Sequence, residues 1–310
     1  MKWIAGASIF AIVMGWIAIA TIPAAPVTID QTSLKFLPPE TQGLAVIDVA
    51  GLRAAPLVQG ALNKDLTFPP EIQDFITATG INPKTDINTV TVAKIGQKDA
   101  FVVVQGQLDK FKVEQYLTDK GKQADAYLGQ TIYYDKDNAI AVLDNLVILG
   151  QGDAVKKALD QMQIPGASPL RSDLTAAIQT IDSGNQVWAV GDFSIGDLPA
   201  TGVRGPAPVL EMLKSLQSGT YQMHVDTGIH ARATANFSDP ASANNIGDLA
   251  RGALAIAKLQ IAKQQPQMLQ ALDGIQVSTS GQTLTVKVDE SGELLKQLSQ
   301  GLNGLKNQVR

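Results

Sequence analysis

Both histidines of the chain, His224 and His230, fall in the stretch QMHVDTGIHAR (222–232), on either side of an Asp-Thr-Gly triplet. Pepsin-like hydrolysis needs two such aspartates about 3 Å apart sharing a proton, one from each lobe or subunit. The only second candidate is Asp182-Ser183-Gly184, which lies 44 residues (226 − 182) before Asp226, too close for one triplet per lobe. A hairpin explains more of the stretch. With Asp226-Thr227-Gly228 as a three-residue loop and Gly228 in the left-handed conformation, 225 faces 229 and His224 faces His230. Tyr221, Met223, Val225, Ile229, Ala231 and Ala233 then line one face, and Gln222, His224, His230 and Arg232 the other. Opposed histidines with Cβ atoms roughly 5 Å apart offer two corners of a zinc, copper or nickel site, with Asp226 the nearest acid, or a response to pH near about 6.5. The plain alternative is a pair of solvated side chains on the polar side of a sheet.

Four further arrangements carry chemistry on paper. In LVILGQGDAVKKAL a strand runs through Gly150 and Gly152 into a helix, but Val155 stands where the dinucleotide fingerprint needs its third glycine, and Asp153 would repel phosphate. Asp135-Lys136-Asp137-Asn138 offers oxygens, yet the twelfth residue from Asp135 is Leu146 instead of the glutamate of a calcium loop. Ser194 in GDFSIG lacks the first glycine of a nucleophile elbow. Asp48 and Asp192, each at the end of an apolar strand, could be paired carboxylates at a junction, or caps of the elements that follow. No complete catalytic motif emerges, and no catalytic, cofactor-binding or metal residue is assigned. If a ligand cleft exists, its aromatic lining would come from Tyr127, Tyr133, Tyr134, Trp188 or Tyr221, residue types that more often fill a core.

Around these residues the composition is that of a folded protein: 310 residues, 45% hydrophobic, 17% charged, net charge −4 and no cysteine. No basic stripe exists to neutralise phosphates, which argues against nucleic acid as a partner. Disulfides, thiolate metal sites and a cysteine nucleophile are excluded. Residues 3–22, WIAGASIFAIVMGWIAIATI, carry no charge and have the length to span a bilayer, so the lipid bilayer is an expected partner through this segment. It reads as an uncleaved anchor, with a signal cleaved after Ala18-Ile19-Ala20 as the alternative. Lys2 keeps the N-terminus cytoplasmic and sends the bulk of the chain out of the cytoplasm. Residues 23–43, with Pro23, Pro26, Pro38 and Pro39, read as an extended spacer.

From residue 44 the pattern of elements repeats. LAVIDV predicts a strand and EIQDFITATG a helix closed by glycine; INTVTVAKI and AFVVVQGQL predict a hairpin, and DKFKVEQYLTDKG an amphipathic helix. QTIYYD and AIAVLDNLVILG predict two more strands joined around DKDN, before the helix DAVKKALDQM. The second half follows the same order through NQVWAVGDF, the helix PVLEMLKSLQSG, TYQMHV with IHARATANF, a long helix from Asn245 to Leu272 broken near Pro266, and GIQVSTS with TLTVKVD. Asp48 and Asp192 occupy one slot, 144 residues apart (192 − 48). The expected class is α+β: two tandem β-α-β-β-α-β-β-α repeats, 44–165 and 166–310, with antiparallel sheets covered on one face by helices.

LPPETQGLAVIDVAGLRAAPL followed by ATGINPKTDINTVTVA resembles a loosely defined group of uncharacterised exported bacterial proteins. Their pattern is a membrane segment, an LPP-type start, a V-D-V strand, a short L-R-x-x-P-L helix and a T-G-I-x-P-x-x-D turn. The resemblance covers roughly residues 36–160; it implies an exported location and an α+β fold and brings no catalytic residues. The resulting expectation is a non-enzymatic, membrane-tethered protein of the cell envelope or periplasm that binds an envelope protein or small ligand. Behind it stand a carrier of an apolar ligand in a cleft between the repeats, and a hydrolase using Asp48 and Asp192.

Overall fold

Runs rich in β-branched side chains become strands, and all the strands described join one sheet. The computed structural model describes residues 34–62, 68–96, 99–164, 170–192, 213–264 and 269–295. The first half of the chain supplies β1 (Gly43–Asp48), β2 (Ile87–Lys94), β3 (Ala100–Gly106), β4 (Gln123–Tyr127), β5 (Gln130–Asp135), β6 (Asn138–Val142) and β7 (Leu146–Gln151). The second supplies β8 (Val187–Asp192), β9 (Leu216–Val225), β10 (Gly228–Phe237), β11 (Ile275–Ser280) and β12 (Thr283–Ser291). The helices are α1 (Val49–Arg53), α2 (Pro56–Leu62), α3 (Pro70–Thr79), α4 (Lys110–Asp119), α5 (Gly152–Met162), α6 (Ser172–Gln179), α7 (Pro240–Gln264) and α8 (Leu269–Asp273). The α+β class is as expected.

The 12-stranded sheet runs β11-β12-β10-β9-β8-β1-β2-β3-β7-β6-β5-β4, and every neighbouring pair is antiparallel. One sheet replaces the separate sheets expected for the two halves. β1 and β8 pair with each other from Gly43 opposite Gly191 to Ile47 opposite Val187, so neither is left as an open apolar edge.

Helices cover the first half on both faces. Val103, Ile148, Val46 and Val190 pack with Val155, Leu159, Leu174 and Ile178 of α5 and α6. Val102, Val142, Leu149 and Ile47 pack on the other side with Leu52, Val113 and Leu117 of α1 and α4. Continuous runs such as Phe101-Val102-Val103-Val104 are what burial on both faces demands. From β9 to β12 apolar side chains gather mainly on one side, where α7 packs around Phe237, Ala243 and Leu284. On the opposite side α6 packs against Trp188 and Val190 of β8, so the one-sided covering expected throughout is confined to β9 to β12.

Several boundaries differ from the sequence reading. The stretch read as spacer ends inside the core, where Phe36 and Leu37 are buried. AIAVLDNLVILG is two strands, turned at Asp144-Asn145 with Leu143 N–H donating to Leu146 O at 2.9 Å. β4, QADAY, was hidden by its polarity, and residues 216–219, read as the end of a helix, begin β9. The two motifs that carry the resemblance pack together: Arg53 of α1 donates to the carbonyls of Lys84 and Ile87 at 2.9 and 3.1 Å, fastening the turn before β2. Among the described residues no helix is long and apolar enough to cross a membrane; residues 3–22 lie outside them.

Candidate functional site

The polar side of the β9–β10 hairpin gathers the side chains with the most chemistry. The register is the one the sequence suggested, Val225 opposite Ile229 and His224 opposite His230. Asp226 Oδ1 accepts from the Gly228 N–H at 2.9 Å, closing the loop on itself. The reason for glycine differs from the expectation: Gly228 is not among the positive-φ residues, and a Cβ there would overlap the Glu290 carbonyl of neighbouring β12. Close approach of strands, not turn conformation, requires it.

The two imidazole rings stand 5.9 Å apart between centroids. His224 Nδ1 donates to the Gly184 carbonyl at 2.7 Å, and its Nε2 lies 3.9 Å from Asp226 Oδ2. His230 Nε2 lies 3.4 Å from Asp226 Oδ1, and Nδ1 2.9 Å from Asp289 Oδ1 on β12. Asp226 is held below the usual carboxylate range, chiefly by the Gly228 N–H, with His230 contributing.

One step along the same face, Gln222 and Arg232 form the next same-face pair. Arg232 pairs with Asp182, and Gln222 Nε2 donates to the same carboxylate at 3.0 Å. Gln222 Oε1 accepts from Asp182 N–H at 2.8 Å and from Asn185 Nδ2 at 3.1 Å. Asn185, Gln186 and Gln222 are buried, so the loop before β8 is fastened to the hairpin by a satisfied polar network. Asp182 and Asp226 therefore have separate partners one side-chain pair apart and do not form a proton-sharing dyad. The sequence reading missed Asn185, Gln186 and Asp289. The first two stood at the predicted start of a strand, and Asp289 could be found only by knowing that β12 lies beside β10.

The other candidates disperse. Asp48 accepts from Gly51 N–H at 2.8 Å and caps α1, and burial raises its carboxyl above the ordinary range against the pull of that N–H. Asp192 pairs with Arg171 at 2.8 Å. Asp48 N–H bonds to Gln186 O at one end of the β1–β8 ladder and Asp192 N–H to Gln42 O at the other, about 20 Å apart at roughly 3.4 Å per residue. Antiparallel pairing of matched strands sends their matched ends apart, so these acids share no site. Gly150 is glycine because a Cβ would overlap the Ala100 carbonyl of β3, and Gly152 opens α5 with Asp153 in its first turn. Asp135 and Asn138 close the β5–β6 hairpin, with Lys122 on Asp135 at 2.8 Å. Ser194 lies outside the described residues.

The aromatic side chains also fail to converge. Tyr127, Tyr134 and fully buried Trp188 belong to the cluster beneath α5 and α6, whereas Tyr133 belongs to the cluster on the opposite face. Tyr221 pairs with Ala189, the neighbour of Trp188, and so points to the face opposite Trp188.

No protein family matches the chain, and no curated protein does. Solved structures similar to it include crystal form IV of TP0453, with a TM-score of 0.45 at 12% identity over 91% of this chain and 98% of that one. Crystal form I of TP0453 gives a TM-score of 0.46 at 11% identity over 89% and 98%. Similarity of this degree contributes nothing to the reading of function.

Proposed function

We propose that the chain is a non-enzymatic, membrane-tethered protein of the cell envelope that binds an envelope protein through α7. The observation that carries this reading is the outer face of that helix. Leu249, Ile256 and Leu259 are 48%, 58% and 67% exposed, and exposed Asn245, Gly252, Ala253 and Gln260 continue the same stripe. At i, i+3 or i+4 and i+7 these positions share one side of a helix. The charged side chains toward its edge are paired within the molecule, Arg251 with Asp248 and Lys258 with Asp273, each at 2.7 Å. What remains is an uncharged strip about four turns long, the kind of face a groove on another polypeptide receives.

Tethering rests on the uncharged residues 3–22. Internal duplication, the finer part of the fold reading, is supported by strand order: outward from the central pair it runs β1-β2-β3-β7-β6 on one side and β8-β9-β10-β12-β11 on the other. Ala45 and Ala189, 144 residues apart (189 − 45), are directly opposite each other, as a local two-fold axis through the matched strands requires. In this alignment the β4–β5 hairpin is an addition to the first repeat. The hydrolase and carrier alternatives lose their basis, the first because the two acids are far apart, the second because its five aromatic residues line no common cleft.

A photo-crosslinking residue at Ile256 of the full-length chain, activated in intact cells, tests the reading. A discrete adduct with another polypeptide supports it. Lipid adducts only, a self-adduct only, or none would overturn it. The mass of the chain extracted from membranes tests the tether separately, since an anchor keeps residues 1–20 and a signal cleaved after Ala20 loses them.

A further inference from the structure

The 12-stranded sheet has two open ends, β4 and β11, and the chain treats them differently. An open edge carries backbone groups that any extended segment can pair with, and charge, proline or a covering element usually blunts it. On β4, Asp125 does so: its Oδ1 accepts from the Ala126 N–H at 2.9 Å, a carboxylate standing in the middle of the strand. β11, IQVSTS, has neither a charged residue nor a proline. Its inward groups are fixed by the hairpin with β12, where Asp289 N–H donates to Gly274 O at 3.0 Å. Bonded residues alternate in an antiparallel pair, so Gln276, Ser278 and Ser280 also bond to β12, at Lys287, Thr285 and Thr283. The N–H and C=O groups of Ile275, Val277 and Thr279 therefore point away from the sheet. Among the described residues one side chain hydrogen-bonds to them, Arg251 of α7, whose Nη1 reaches the Val277 carbonyl at 3.4 Å.

We propose that β11 is a dimerisation edge, pairing antiparallel with β11 of a second copy of the chain so that the sheet continues across a two-fold axis at Val277. Only that register engages all three outward residues. Val277 faces Val277 of the second copy and Ile275 faces its Thr279, each as a hydrogen-bonded pair that exchanges two N–H···O bonds. Between them Gln276 faces Ser278 of the second copy. No like charges are opposed at any position, the condition a self-complementary interface has to meet. β4 fails it, because a two-fold pairing centred on that strand brings Asp125 up to its own copy. Arg251 reaches the axis already paired with Asp248 at 2.7 Å, so each copy brings a neutral pair, and a strand N–H replaces the long contact to Val277. Ile256 lies about 140° around α7 from Arg251 at 3.6 residues per turn. The outer strip of that helix therefore stays free for another polypeptide, and the dimer neither requires nor blocks that binding.

The chain has no cysteine, which permits a test specific to the register. In this pairing residues 276 and 278 of opposite copies form a non-hydrogen-bonded pair with Cα atoms about 4.5 Å apart, within reach of a disulfide. Full-length Gln276→Cys and Ser278→Cys chains, mixed in detergent and mildly oxidised, should link into mixed dimers at least tenfold more than either variant oxidised alone. Ala124→Cys, on the opposite edge, should stay unlinked. In sedimentation equilibrium the unaltered chain should reach the mass of two copies. Val277→Pro deletes an N–H that bonds nothing within the chain, and it should remain at the mass of one. Mixed dimers no more abundant than self-linked ones, or a mass of one copy for the unaltered chain at every concentration, would overturn the proposal. The disulfide comparison decides it even where Val277→Pro fails to fold.

Discussion

Asp48 shows how a single carboxyl couples a cap to pH. Its Oδ1 receives the Gly51 N–H at the start of α1, while burial lifts its carboxyl above the ordinary range. A raised acid holds its proton more tightly in the folded chain than in the unfolded one, so stability falls as pH rises from the ordinary value through the raised one, and stays lower above it. Asp48→Asn keeps an acceptor for Gly51 and removes the charge; it should stabilise the protein at neutral pH and flatten that part of its stability profile. Asp48→Ala loses the cap and should cost about 1 kcal/mol. Urea midpoints measured from pH 3 to 7 separate the two effects. An equal loss in both variants would show that ionisation of Asp48 carries no penalty.

At the scale of elements, the close contacts between strands decide where glycine stands. A Cβ at Gly150 would overlap the Ala100 carbonyl and the Phe101 backbone, so Gly150→Ala should destabilise the chain by about 1 to 3 kcal/mol, the usual penalty of overpacking. Urea unfolding of this variant beside Gly152→Ala, whose Cβ would meet only ordinary contacts at 3.6 Å and beyond, checks it. This contrast was invisible in the sequence, where both glycines read as one phosphate-turn pattern. The elements themselves were more legible, because α3 ends on Gly80 in the left-handed conformation and the β9–β10 register follows from loop length and alternation. Local rules fix such features. β4 escaped because QADAY has too few apolar side chains to alternate, and it is a strand only because β5 offers it an edge.

For the whole molecule, one sheet ties the two halves into a unit. Trp188 is fully buried on β8 at the central joint, and it is the one tryptophan beyond the apolar segment that holds Trp3 and Trp16. In a chain carrying Trp3→Phe and Trp16→Phe, its fluorescence and the far-ultraviolet circular dichroism should give the same denaturation midpoint. Two separated midpoints would mean that the halves melt independently. Which strands become neighbours across the middle could not be read from residue types, since β1 and β8 are each short apolar runs able to pair with many edges. The His224–His230 pairing was legible for the opposite reason, because a short loop dictates it, whereas Asp289 reaches His230 only through the long-range placement of β12.

The central joint also has a history within each molecule's synthesis. Ala45 leaves the ribosome 144 residues (189 − 45) before Ala189, its partner across the ladder, which at about 5 to 20 residues per second is a wait of roughly 7 to 30 s. Through that interval β2 can cover one side of β1 while the other side offers its backbone to any strand that arrives. A second nascent first half carries the same open side, so two chains emerging close together compete with each chain's own β8. Slow delivery of the second half would therefore favour exchanged dimers over monomers, and the spacing of nascent chains becomes a determinant of how they fold.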